Sequence, residues 1–193
     1  MAAEKLAILV TGSVASGKTT FLLNLHAALP RWRSCGFVSR GESRGPGERG
    51  PAASYRLVAI GGTLDLPWAT RRSDGAGFDF CDASRSEATE LVRRELENGE
   101  ADVCFLDEIG RLELDGRGMA EAFRLALGSP CPIVVAAVKK AALADVIRVF
   151  QVVAPIVIDL DGGDAERALR AAARECGRKR SADLRAIGGD DLT

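Results

Sequence analysis

The segment GSVASGKT, Gly12 to Thr19, constrains this chain more than any other. It fits the pattern GxxxxGK[ST] and stands between a short apolar run, KLAILVTG, and KTTFLLNLHAAL, whose apolar residues recur at helical spacing up to Pro30. A continuous apolar run ending in a glycine loop suits a strand buried on both faces of a parallel sheet. The predicted order is strand, loop, helix. Glycines let such a loop curl so that successive N–H groups converge on phosphate oxygens, and the positive end of the helix dipole adds to the attraction. In this arrangement Lys18 reaches the β and γ phosphates and the Thr19 hydroxyl ligates Mg2+.

The rest of the chain alternates in a way that extends this unit. Apolar runs recur at CGFVS, YRLVAI, DVCFLD, CPIVVAAV and APIVIDL, and between them SRSEATELVRRELENG, GMAEAFRLALG, KAALADVIRVF and DAERALRAAARECG read as helices. Such alternation predicts an α/β sandwich around a mainly parallel sheet. YRLVAI can instead pair with GGTLDLPWA as a hairpin, because Gly61 and Gly62 supply a turn. The Gly, Pro and Arg-rich stretch from Arg40 to Ser54 reads as a mobile loop, and the polar, glycine-containing residues 178–193 as a flexible tail on a single domain of residues 1–177.

Composition excludes several classes. A net charge of −1 over 193 residues provides no basic field for a nucleic acid backbone, so no nucleic acid partner is expected. The 5 cysteines are scattered, odd in number and without a CxxC pair, which suggests neither a disulfide framework nor a zinc site. Leu6 to Val10 is too short for a signal segment and no run approaches a membrane span, so the expected setting is cytoplasmic.

DVCFLDEIG then acquires a meaning. Val103 to Leu106 deliver Asp107 to the carboxyl end of a buried strand, the ligand-binding edge of an open α/β sheet. There Asp107 can hold Mg2+, directly or through a water, beside Thr19. Alternation along a strand sends adjacent side chains to opposite faces, so Asp107 and Glu108 have different tasks. Two readings of Glu108 stand: a general base that polarises the attacking water, or an acid in the first turn of the next segment, favoured by the helix dipole.

Three strings, TGSVASGKTT, CGFVSRGE and LDEIGRLEL, together resemble the small P-loop nucleoside-triphosphatase family that includes the cancer-related nucleoside triphosphatase. The third is the most specific, and the likeness runs from about Leu6 to Asp159. It implies a three-layer P-loop NTPase fold of the additional-strand, catalytic-glutamate type. The implied activity is Mg2+-dependent hydrolysis of nucleoside 5′-triphosphates, with broad tolerance of the base. Carried over residue by residue, Gly12, Ser13, Val14, Ala15, Ser16, Gly17, Lys18, Thr19 and Thr20 cradle the triphosphate, Thr19 and Asp107 serve the metal, and Lys18 and Glu108 serve catalysis. Arg40, Arg44 and Arg49 stand where family members carry arginines near the nucleotide. Each could contact phosphate as an arginine finger or keep a surface loop solvated.

Other residues have two readings each. Lys139 and Lys140 follow a strand and could sense the γ phosphate, or begin a surface helix. Asp159 and Asp161 could line a base pocket, although turn and capping duty suits DLDGGD better. Glu113 could orient the catalytic edge or be solvated. The single histidine, His26, excludes histidine metal sites and Ser/His/Asp catalysis, and Trp32 and Trp68 could stack on a base, although packing is the commoner fate of tryptophan. Two other functions use the same cradle: a small-molecule or nucleotide kinase with SRGESRGPGER as its lid, and a nucleotide-dependent switch.

Overall fold

The computed structural model describes residues 5–42 and 52–188. In chain order the first half holds β1 (Leu6–Thr11), α1 (Lys18–Ala27), β2 (Ser34–Gly41), β3 (Ser54–Ala59), β4 (Asp65–Arg71), β5 (Phe78–Phe80) and α2 (Asp82–Glu97). The second half holds β6 (Val103–Ile109), α3 (Arg111–Leu114), α4 (Ala120–Gly128), β7 (Ile133–Val138), α5 (Leu143–Val149), β8 (Ile156–Asp159) and α6 (Ala165–Gly188).

The uninterrupted apolar runs become central strands because both of their faces are covered. In β1, Ala7 and Leu9 enter one core while Ile8 and Val10 enter the other, and β7 divides Val134, Ala136 and Val138 from Ile133, Val135 and Ala137. Helices α1 and α6 close one face through Phe21, Leu22, Leu25, Ala172 and Cys176. Helices α2, α4 and α5 close the other through Ala88, Val92, Phe123 and Val146. The result is three layers with a core on each side of the sheet.

The sheet has the order β5-β4-β3-β2-β6-β7-β1-β8. β2, β6, β7, β1 and β8 are parallel, whereas β3, β4 and β5 continue from β2 as an antiparallel meander. The sheet is therefore mixed, which corrects the expectation of a mainly parallel one. The cause is local: Gly61, at φ 78, reverses the chain within a few residues, and a connection that short cannot make a parallel crossover. The hairpin of YRLVAI with GGTLDLPWA forms as one of the sequence readings had it. At the end of the described residues α6 runs through Gly177 to Gly188, and Arg180 stacks over Trp32 with its guanidinium carbon 4.8 Å from the ring centroid.

β7 lies between β1 and β6, so two strand spacings, roughly 10 Å, separate the glycine loop from the acids on β6. Helix α1 crosses that gap. On the far side, Gly36 in β2 lies opposite Phe105 at φ 102, where a Cβ would overlap the Phe105 carbonyl oxygen. Gly36→Ala should therefore cost at least about 2 kcal/mol, through left-handed backbone strain and this overlap. The corresponding fall in Tm is about 4–8 °C by thermal unfolding. An unchanged Tm would show that β2 and β6 separate without cost.

Candidate active site

The site is built from the carboxyl ends of β1, β6, β7 and β8. After Thr11, whose hydroxyl donates to the Val138 carbonyl at 3.0 Å, the chain turns through Gly12 (φ 147), Ala15 (φ 63) and Gly17 (φ 90) into α1. Gly12 is required by space as well as by conformation, since a Cβ there would lie 2.5 Å from Ser16 Oγ. The half-buried Lys18 folds back over the loop and donates from Nζ to the carbonyls of Gly12 at 3.1 Å and Ser13 at 2.7 Å. Val14 stands at the tip, 94% exposed, and Thr20 is exposed on the first turn of α1. The first N–H groups of α1 have no intrahelical acceptor and point toward this concavity, the usual arrangement for binding an anion.

Asp107 is 2% exposed and forms the hub of the site. Its Oδ2 accepts from Thr19 Oγ1 at 2.7 Å and from the Ser39 N–H at 3.1 Å, and its Oδ1 accepts from the Glu108 N–H at 2.8 Å. Burial dominates its titration and pushes the carboxyl up to about 6, against the pull of the Thr19 hydrogen bond. Asp107 and Thr19, placed 88 residues apart in the chain, thus meet as the sequence reading required.

Glu108 departs from simple strand alternation. The pairing of β6 with β7 shifts register between Leu106 and Ile109, and Glu108 sits in that bulge at φ 64. The carboxylate is part-exposed and meets Lys139 Nζ at 3.3 Å. Glu113, 3% exposed, braces the turn that follows: Oε2 accepts from the Gly110 N–H at 2.7 Å and Oε1 from the Met119 N–H at 2.9 Å. Of the two readings of Glu113, the geometry is that of a buried brace.

Several members of the site have partners that neither of their sequence readings anticipated. Lys140 opens a short 3-10 helix, as the surface-helix reading has it, yet its Nζ bridges Asp159 at 2.9 Å and Asp161 at 2.8 Å. Asp161 also accepts from the Ser13 N–H at 2.8 and 3.0 Å and from Ser13 Oγ at 2.8 Å. Lys140 first, then these donors, hold the Asp161 carboxyl well below the usual carboxylate range. Capping of α6 falls instead to Asp164, which accepts from the N–H groups of Glu166 and Arg167 at 3.0 and 3.1 Å. A strand-end position for both lysines and both aspartates was the available signal. Arg40 is exposed near the end of β2, and Arg44 and Arg49 lie outside the described residues. Trp68 is buried against Phe80, and the ring of His26 packs edge-on to Phe105.

The sequence profile of a family described as NTPase matches residues 7–161, a span that takes in the glycine loop, the acids of β6 and Asp161. The chain belongs to the NTPase family. Within that family it is 33% identical, over 112 residues, to the nucleoside-triphosphatase THEP1 of Pyrobaculum calidifontis; the match covers 58% of this chain and 61% of that curated relative. The fold is shared with two solved structures. The human cancer-related nucleoside triphosphatase superposes with a TM-score of 0.65 at 20% identity, covering 88% of this chain and 96% of the human one. THEP1 from Aquifex aeolicus gives 0.59 at 19% identity, covering 80% and 90%.

The elevated titration of Asp107 makes a testable statement about this NTPase-family site. Its folded value of about 6 lies above the unfolded value near 4, so the protonated form favours the folded chain. The contribution is fully present below about pH 4 and is lost as pH rises through about 6. In urea unfolding of the nucleotide-free protein, the wild type should lose about 3 kcal/mol relative to Asp107→Asn from well below pH 4 to well above pH 6. Parallel pH profiles for the two would show that Asp107 titrates normally.

Proposed function

We propose that this chain hydrolyses nucleoside 5′-triphosphates, ATP and GTP among them, to the diphosphate and phosphate with Mg2+, in the cytoplasm. The observation that carries this reading is the meeting of Thr19 Oγ1 with Asp107 at 2.7 Å, with the Glu108 carboxylate following at the same strand end. Membership of the NTPase family supports it, as does the likeness to the nucleoside-triphosphatase of Pyrobaculum calidifontis. The position of β7 between β1 and β6 supports a P-loop fold of the additional-strand, catalytic-glutamate type. No helix among the described residues is long and apolar enough to cross a membrane.

The donor set fits Mg2+. A hydroxyl and a carboxylate are hard oxygen ligands, and Mg2+ characteristically takes one or two of these from protein and the remainder from phosphate and water. Among the described residues no group of three or more His, Cys, Asp or Glu forms a protein-only cage, which suits a metal that arrives with its nucleotide. When bound, Mg2+ neutralises charge on the β and γ phosphates and keeps Asp107 ionised despite its burial.

The chain's own residues do the rest. The loop amides and Lys18, whose Nζ stands over the loop against the Gly12 and Ser13 carbonyls, bind the triphosphate. Glu108 orients a water and takes its proton as the water oxygen bonds to the γ phosphorus; the bond from that phosphorus to the β–γ bridging oxygen breaks, and the diphosphate leaves. Lys139, paired with Glu108, holds the carboxylate at the strand end rather than leaving it to swing into solvent.

Phosphate release should be seen with ATP, GTP, CTP or UTP as the sole substrate and should stop when Mg2+ is chelated. Glu108→Gln should retain nucleotide binding by titration while kcat falls by about 10²-fold. Near wild-type turnover in that variant would remove Glu108 from the proton transfer. No phosphate release from nucleotide alone, with diphosphate and a phosphorylated product forming once an acceptor alcohol is added, would indicate a kinase.

A further inference from the structure

An aspartate inside a phosphate cradle is electrostatically out of place, since its charge repels the ligand the loop attracts. Asp161 nonetheless accepts three hydrogen bonds from Ser13, and the loop peptide it grips is held at both ends. The N–H of the Gly12–Ser13 peptide points to Asp161 at 2.8 and 3.0 Å, and its carbonyl, on Gly12, accepts from Lys18 Nζ at 3.1 Å. An anion at the N–H and a cation at the carbonyl align the peptide dipole, so this plane cannot flip without breaking charge-assisted bonds at both ends. Lys140 balances the aspartate through its bridge to Asp159 and Asp161, which spares the cradle most of the added negative charge.

Strand order gives the position of this clasp. The acids of β6 lie on one side of β1, beyond β7, and β8 with Asp161 lies on the other. A triphosphate whose γ end meets Glu108 therefore runs toward β8 with its nucleoside end.

We propose that Asp161, steadied by Lys140, is a positioning residue that presets the mouth of the phosphate loop for ground-state nucleotide binding, separately from the chemical step at Glu108. The proposal rests on the nucleoside-triphosphatase reading of this site. It places the effect in Kd and KM and leaves kcat alone, because the reacting end of the substrate lies on the far side of β1. The conservative amide can still accept the Ser13 N–H through its Oδ1, so the proposal also ranks the variants.

The test is equilibrium titration of the full chain with Mg·ADP, alongside steady-state ATP hydrolysis. Asp161→Ala should raise Kd and KM by about tenfold with kcat within about threefold of wild type. Asp161→Asn should recover most of the affinity. Lys140→Met should weaken binding in the wild-type background and have little further effect in the Asp161→Ala background. Wild-type Kd in Asp161→Ala would overturn the proposal, and so would tighter binding, which would mean the carboxylate chiefly repels phosphate. Equal losses in Asp161→Ala and Asp161→Asn would overturn the peptide clamp in favour of charge alone. The Kd readout needs no turnover, so a wild type that binds ADP without releasing phosphate from ATP would sink the hydrolysis reading and still decide the clasp. A wild type that binds no nucleotide would overturn both.

Discussion

Asp107 is a carboxylate taken out of water, and a buried acid is tolerated only when the protein supplies donors to replace the solvent. Those donors come from three elements: the Ser39 N–H on β2, the Thr19 hydroxyl on α1, and the Glu108 N–H at the end of β6 itself. Each bond fixes its element relative to the others. The meander of β3, β4 and β5 hangs from β2, while α1 carries the glycine loop and packs under α6. One side chain therefore ties together the acidic end of β6, the glycine loop and the antiparallel extension of the sheet.

The bulge at Glu108 is the complement of that burial. Cys104, Leu106 and Ile109 all enter the core beneath α2 and α4, and strict alternation would have sent Glu108 there in place of Ile109. Inserting one extra residue in a left-handed conformation restores the apolar order and leaves the carboxylate at the rim, where Lys139 meets it. The conformation costs on the order of 1–2 kcal/mol, and it is held by packing on one side and by Glu113 bracing Gly110 and Met119 on the other. A local strain placed beside a carboxylate at the sheet edge and supported by a buried brace is a pre-organised arrangement.

Much of this was legible in the chain. GSVASGKT and its flanking runs specify a strand, a loop and a helix through short-range chemistry, namely glycine conformational freedom, apolar periodicity and the stop at Pro30. The placement of Asp107 beside Thr19 followed from the rule that ligands gather at the carboxyl ends of parallel strands. The pairs Lys139 with Glu108 and Asp161 with Ser13 were not legible, the second being 148 residues apart. The three-residue β5 is too short to show periodicity, and α6 passes Gly177 because tertiary contacts outweigh one unfavourable helix residue.

By itself the sequence determined the local units: which runs bury two faces, where the backbone must turn on glycine, and which acid ends an apolar strand. Only the tertiary structure decided the order of strands, the bulge that turns Glu108 outward, and the partners of each charge. The reason is physical. Helix, strand and turn preferences act over a few residues, whereas strand order and ion pairing depend on which distant segments find donors and packing surfaces for one another when the chain closes on itself.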